Sequence, residues 1–240
     1  MAAGLIFCLP LHYLWKLVGA RSIWPQVFLA YAGYCSGLRV RTEGRPLTGK
    51  VLFVANHVSW LDILALGGAT RAVFVSRDDV AGWPLVGWIA SLNDTLYVAR
   101  QSRREVHGQA GQLRQALGSG RAVALFPEGT TDHVMMPFRP SLFASLFPPV
   151  PGVRVQPVVI DYGALTTEIA WMGREPAGAN AARILKRTKP IPVLLRFLAP
   201  IDPQSAGDRK RVAAQAQSEV AEALGLGASD AGVDPLYARR

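Results

Sequence analysis

The chain has 240 residues, half of them hydrophobic, with 26 Lys and Arg against 17 Asp and Glu and a formal net charge of +9. That length suits one α/β domain with a large core and a small appendage. The basic surplus favours an anionic partner, and a membrane surface fits best. No zinc-finger spacing and no aromatic-rich RNA signature accompany the charge, whereas six Trp suit a bilayer interface. Nucleic acid is therefore not expected as a partner. Two cysteines, Cys8 and Cys35, cannot staple a chain of this size, and both read as buried, unpaired thiols in a reducing compartment.

Residues 1–38 form the most apolar region. The first eleven are too few to span a bilayer, which takes about 20 residues, and they lack the basic start and cleavage site of a signal peptide. Two short amphipathic helices lying in the interface are predicted, the second opened by Trp24 and Pro25. An ordinary pair of core-covering helices is the alternative, and a longer natural amino terminus carrying a full span is left open. Gly33-Tyr34-Cys35-Ser36-Gly37 mimics a nucleophile elbow but sits in a helical pattern. The stretch from Gly44 to Lys50 mimics a P-loop, yet Val51 replaces the magnesium-holding Ser or Thr and a strand comes after it where one should precede.

Residues 39–50 read as a link. Beyond them, apolar strand-like runs at 51–55, 72–76, 95–99, 121–126, 153–160 and 191–198 alternate with helical patterns near 59–66, 85–92 and 106–117. Val212, Ala216, Val220 and Ala223 mark a last helix. The alternation predicts an α/β fold, a mostly parallel central sheet with helices on both faces, preceded by the helical hairpin. The expected units are residues 1–45 for the membrane-seating pair, 46–225 for the main domain and 226–240 for a loose tail.

Val51–Ala55 reads as a strand buried on both faces, and such a strand delivers the next few residues to the carboxyl edge of the sheet. There stand His57 and, five residues on, Asp62. A histidine accepts a proton near neutrality, and a carboxylate on its far ring nitrogen fixes the tautomer and steadies the imidazolium. The stretch holds no obvious nucleophile, so the attacking hydroxyl would belong to the substrate. The same residues also fit a capping pattern, Ser59-Trp60-Leu61-Asp62 before an apolar run, in which Asp62 merely caps a helix.

Three further stretches stand after strands in the same way. Arg100 closes Leu96-Tyr97-Val98-Ala99-Arg100 and can hold a phosphate or carboxylate through a forked pair of bonds. Arg103 and Arg104 read as solvated helix-start charges. Phe126-Pro127-Glu128-Gly129-Thr130-Thr131 puts a carboxylate and a glycine turn at a strand end. Val155-Gln156-Pro157-Val158 carries a proline that implies an edge strand or a bulge.

Together, Asn56-His57-Val58-Ser59-Trp60-Leu61-Asp62 and these three stretches resemble, in order and spacing, the four motif blocks of the glycerolipid acyltransferases. Trp83-Pro84-Leu85-Val86-Gly87 fits the family's element between the first two. The resemblance covers roughly residues 50–160. It implies transfer of a fatty acyl group from an acyl-carrier-protein or coenzyme A thioester to a lysophospholipid hydroxyl. The acceptor it implies first is 1-acyl-sn-glycerol-3-phosphate, giving phosphatidic acid. By position, His57 would be the general base and Asp62 its orienter, with Arg100, Glu128, Gly129, Thr130 and Pro157 binding substrate. No cofactor or metal is implied beyond the acyl donor. The expected place is the cytoplasmic face of a bacterial inner membrane, peripheral or held by a short anchor.

Thr131 and Asp132 stand where the family commonly has Arg, Asp94 where it has Gly, and Ala99 where Asp is frequent. Loss of the basic residue weakens the case for a phosphate monoester, and several of these stretches resemble the branch acylating lyso-ornithine lipids. A double displacement through Ser59 is the alternative chemistry, and a non-catalytic lipid-binding protein the alternative class.

Overall fold

The computed structural model describes residues 2–19, 22–77, 95–98, 103–173 and 175–227. Helices α1 (Ala2–Leu17) and α2 (Trp24–Cys35) lead into strands β1 (Leu38–Glu43) and β2 (Val51–Ala55), helix α3 (Leu61–Ala69) and strands β3 (Val73–Arg77) and β4 (Leu96–Val98). Helix α4 (Arg103–Gly118), strand β5 (Val123–Leu125), a 3-10 turn (Pro140–Leu146) and strand β6 (Arg154–Asp161) come next. The chain continues through α5 (Thr166–Ile169), α6 (Ala177–Leu185), β7 (Ile191–Phe197), α7 (Pro203–Ala206) and α8 (Arg209–Ala223). The predicted helix near 85–92 lies outside the described residues.

The strands make one seven-stranded sheet in the order β1-β7-β6-β2-β5-β3-β4. Every pairing is parallel except β6 with β7, so β1 and β7 run against the other five. The strand β2 lies inside, with Leu52 opposite Val123 on one side and Val155 on the other. All five of its residues are buried. Its side chains alternate between the faces: Val51, Phe53 and Ala55 join one core, and Leu52 and Val54 the other. The first core is covered by Leu61, Ala65 and Leu66 of α3 and Ile184 of α6. The second takes Leu113 and Leu117 of α4, Phe143 of the 3-10 turn, and Val212, Ala216 and Val220 of α8. Each fully buried Leu or Phe contributes about 1.5–3 kcal/mol. The expected α/β sheet with helices on both faces is thus found.

Four expectations change in detail. Residues 38–43, read mostly as link, are the edge strand β1, paired in parallel with β7 from Leu38 opposite Ile191 to Glu43 opposite Arg196. Only Leu38 is buried there, and an edge strand dressed in Arg and Glu gives no buried apolar run to detect. Pro157 lies on an interior strand, not an edge. The bulge it calls for is opposite: Gln156 and Pro157 face residues 198–200 between the Val155–Ile201 and Val158–Phe197 pairs. Cys8 is buried but Cys35 is exposed, at the carboxyl end of α2.

The fourth change concerns the hairpin. Rather than being amphipathic, α1 is apolar around most of its girth, with Lys16 its one charged residue. One side packs on α2, and Ile6, Phe7, Leu14 and Leu17 remain exposed. Among the described residues no helix is long and apolar enough to cross a membrane. The α2 helix seats on α3 through glycines: a Cβ on Gly68 would come within 2.8 Å of the Ala30 Cα, and one on Gly67 within 2.6 Å of a Leu29 methyl. Helix α3 therefore carries the hairpin on its last turn and Asp62 on its first.

Candidate active site

The parallel strands β2, β5 and β6 end side by side, and the residues just beyond them meet. His57 comes after β2, Phe126 to Gly129 after β5, and Tyr162 after β6. Asp62, in the first turn of α3, is fully buried, whereas the His57 side chain keeps 16% of its surface exposed. The His57 Nδ1 lies 2.8 Å from Asp62 Oδ2. The same oxygen accepts the N–H groups of Val58 at 2.7 Å and Ser59 at 2.9 Å. The other oxygen accepts the Tyr162 hydroxyl at 2.7 Å. The capping role and the dyad role are thus filled by one carboxylate at once. Because an ionised carboxylate only accepts, Nδ1 carries the proton and Nε2 is left to take one from a hydroxyl.

The imidazole is also held by its plane and its backbone. Its ring stacks on Phe126 at 3.9 Å between centroids and 10° between planes. The His57 N–H donates to Glu128 Oε1 at 2.9 Å, and its carbonyl accepts from Asp132 N–H at 3.1 Å. Behind it, Asn56 makes two side-chain bonds to the Ile160 main chain, at 2.8 and 2.9 Å, which lock β2 to β6 at the point where the loop begins. Trp171 N–H donates to the Val58 carbonyl at 3.0 Å, and Trp60 Nε1 donates to Asn180 Oδ1 at 3.0 Å. The segment around α5 and α6 thereby fastens the His57 loop from outside.

Glu128 is buried, and both of its oxygens are taken by main-chain donors, His57 N–H and Met136 N–H, each at 2.9 Å. Burial pushes its carboxyl up to about 8, against the pull of those two N–H groups. Tyr162 is pushed well above its ordinary value by burial and by the adjoining Asp62, so its hydroxyl stays a donor. Gly129 sits in the left-handed region at φ +72°, closing a turn onto the Phe126 carbonyl at 3.2 Å. Thr130 is exposed next to it. The hydroxyl of Thr131, which stands in the place of the family's Arg, donates to the Trp171 carbonyl at 2.7 Å.

His57, Asp62, Glu128 and Gly129 thus come together in one cluster. Pro157 does not join it: it is buried within β6 opposite Val54, and its carbonyl accepts from Leu198 N–H at 3.0 Å. Arg100 lies outside the described residues, as do the 83–87 element, Asp94 and Ala99. Sequence reasoning missed Tyr162 and gave Phe126 no role. The signal available was position, since each stands directly after a strand in the sheet. Among the described residues no three His, Cys, Asp or Glu side chains converge as a metal site would require. A separate cavity of about 680 Å³, lined by His12, Lys16, Arg71 and Arg121 among others, opens at the other, amino edge of the sheet.

Residues 37–161 match the family model described as Acyltransferase. The chain is 32% identical over 244 residues to the lyso-ornithine lipid O-acyltransferase of Rhodobacter capsulatus, an alignment covering 94% of this chain and 87% of that one. It is 35% identical over 204 residues to the protein of the same name from Pseudomonas aeruginosa, covering 80% and 76%. With the 1-acyl-sn-glycerol-3-phosphate acyltransferase of Neisseria gonorrhoeae the identity is 31% over 156 residues, covering 64% of this chain and 56% of that one. The crystal structure of the 1-acyl-sn-glycerophosphate acyltransferase PlsC from Thermotoga maritima superposes with a TM-score of 0.65 at 20% identity, over 91% and 86% of the two chains, a likeness of fold. An imidazole aimed by a buried carboxylate at the carboxyl edge of this sheet, in a chain so related along most of its length, belongs to the acyltransferase family, and the chain is an acyltransferase.

Proposed function

We propose that this acyltransferase esterifies the free hydroxyl of a lysolipid by a single displacement, with His57 as the base. The observation that carries this reading is the Nδ1–Asp62 bond at 2.8 Å on a partly exposed imidazole. The Nε2 atom removes the acceptor's hydroxyl proton while the oxygen attacks the carbonyl carbon of an acyl thioester. The tetrahedral intermediate collapses by breaking the carbon–sulfur bond. The imidazolium, steadied by Asp62, returns its proton to the departing thiolate, leaving an ester and a free thiol. Ser59 fits a structural role better than a nucleophilic one: it is fully buried, and its N–H and Oγ serve the turn that enters α3. The donor is an acyl-carrier-protein or coenzyme A thioester, since both present the same kind of sulfur leaving group.

Lyso-ornithine lipid is the acceptor this reading favours over 1-acyl-sn-glycerol-3-phosphate. The position that would supply a cation beside the third motif block is Thr131, whose hydroxyl is spent on the Trp171 carbonyl. The names carried by the relatives in Rhodobacter capsulatus and Pseudomonas aeruginosa agree. Arg100 and Glu128 are assigned to the acceptor side, Glu128 by shaping the loop through its two main-chain bonds. The exposed apolar side of α1 rests in the bilayer surface, which suits a peripheral protein on the cytoplasmic face of a bacterial inner membrane. Purified protein given labelled acyl thioester and separate mixed micelles of the two lysolipids tests the assignment. Acylation of lyso-ornithine lipid at least tenfold faster is expected, and a preference for lysophosphatidate would contradict it.

A further inference from the structure

The turn closed by Gly129 N–H on the Phe126 carbonyl carries more than the His57 supports. Arg139 is fastened to it as well: its own N–H donates to the Pro127 carbonyl at 3.0 Å. Its guanidinium lies against Gly129, where a Cβ would come within 3.2 Å of Cζ and 3.3 Å of one terminal nitrogen. Gly129, at φ +72° and without a side chain, is what lets the cation lie so close. Arg139 is exposed, and among the described residues its guanidinium has no hydrogen-bond or ion-pair partner. The acids of the same loop are engaged elsewhere. Glu128 is buried on two main-chain N–H groups, and Asp132 binds His133 Nδ1 at 2.7 Å and the His133 N–H at 2.7 Å.

A planar, five-donor cation with no carboxylate of its own, clamped to the turn that holds the catalytic imidazole, is built to receive an oxyanion. We propose that Arg139 binds the carboxylate of the acceptor's amino-acid headgroup and so turns the acceptor's hydroxyl toward His57. This rests on the reading of lyso-ornithine lipid as the acceptor.

The test compares lyso-ornithine lipid with its methyl ester, in which the carboxylate is masked, for the wild type, Arg139→Ala and Arg139→Lys. The wild type is expected to prefer the free acid by about ten- to a hundredfold in kcat/KM, the range of a charge-assisted hydrogen-bonded pair. Arg139→Ala should lose most of that preference, mainly through a higher KM for the free acid. Arg139→Lys, which keeps the charge without the fork, should fall between them, and it decides the matter if the alanine variant does not fold. Equal losses on acid and ester, or no loss on the acid, would overturn the proposal for Arg139 while leaving the acceptor intact. A wild type that ignores lyso-ornithine lipid altogether would overturn the acceptor reading and the carboxylate assignment with it.

Discussion

The carboxyl edge of the sheet and the amino-terminal hairpin treat their surfaces in opposite ways. At the edge, polar groups are taken out of water and matched one by one: four donors on Asp62, two on Glu128, two bonds from Asn56. On the hairpin, large apolar side chains are left in the open, with Leu17 83% and Ile6 75% exposed. A buried carboxylate with every oxygen engaged is what aims an imidazole. An exposed apolar helix is tolerated where a bilayer covers it. The two regions share α3, which takes Ala30 against Gly68 at one end and presents Asp62 at the other. One short helix therefore fixes where the His57–Asp62 pair stands relative to the hairpin.

The sharpest way to break the comparison is Asp62→Ala. It leaves the Val58 and Ser59 N–H groups and the buried Tyr162 hydroxyl without their acceptor, so both turnover and folding should suffer. A loss of at least a hundredfold in kcat is expected, with a loss of about 2–4 kcal/mol in urea-unfolding stability. A variant as stable as the wild type would mean that Asp62 does not organise this edge. On the hairpin, Phe7→Glu with Leu14→Glu should lower binding to anionic vesicles by about tenfold or more while kcat on micellar substrate holds within about twofold. Unchanged sedimentation with vesicles would remove the membrane role from α1.

Legibility in the sequence divides along the same line. Val51–Ala55 is a continuous apolar run, so its burial on both faces could be read directly. His57 and Asp62 are five residues apart and meet within one turn, so their pairing was open to local reasoning. Tyr162 is 100 positions from Asp62 in the chain, and only the parallel pairing of β2 with β6 brings them together. The strand β1 was hidden because five of its six residues face water. The reversal of β7 was hidden because an apolar strand reads alike in either direction. The exposure of Cys35 depends on which side of α2 meets α3, which local composition does not encode.

Two smaller effects sharpen the account of the edge. Tyr162→Phe removes one donor from Asp62 and leaves the ring in place. A three- to thirtyfold drop in kcat is expected with about 1 kcal/mol of stability, and a variant with wild-type kcat would reduce Tyr162 to a packing role. Glu128→Gln addresses the other carboxyl. Its folded value of about 8 lies above the ordinary 4.5, so between those values the folded chain keeps a proton that the unfolded chain has released. Stability should therefore fall as pH rises from about 5 to 8, on the order of 1–3 kcal/mol from this group. Urea midpoints at the two pH values should differ less in the variant than in the wild type, and equal slopes would return Glu128 to an ordinary ionised state.

The central claim is that one imidazole does the proton transfer. Single-turnover acyl transfer by purified His57→Ala, alongside its thermal midpoint, tests it most directly. The account predicts a rate at least a hundredfold below wild type in a chain that still folds, its melting temperature lowered by the lost stacking on Phe126 and the lost bond to Asp62. A folded His57→Ala enzyme that keeps a tenth or more of the wild-type rate would contradict it.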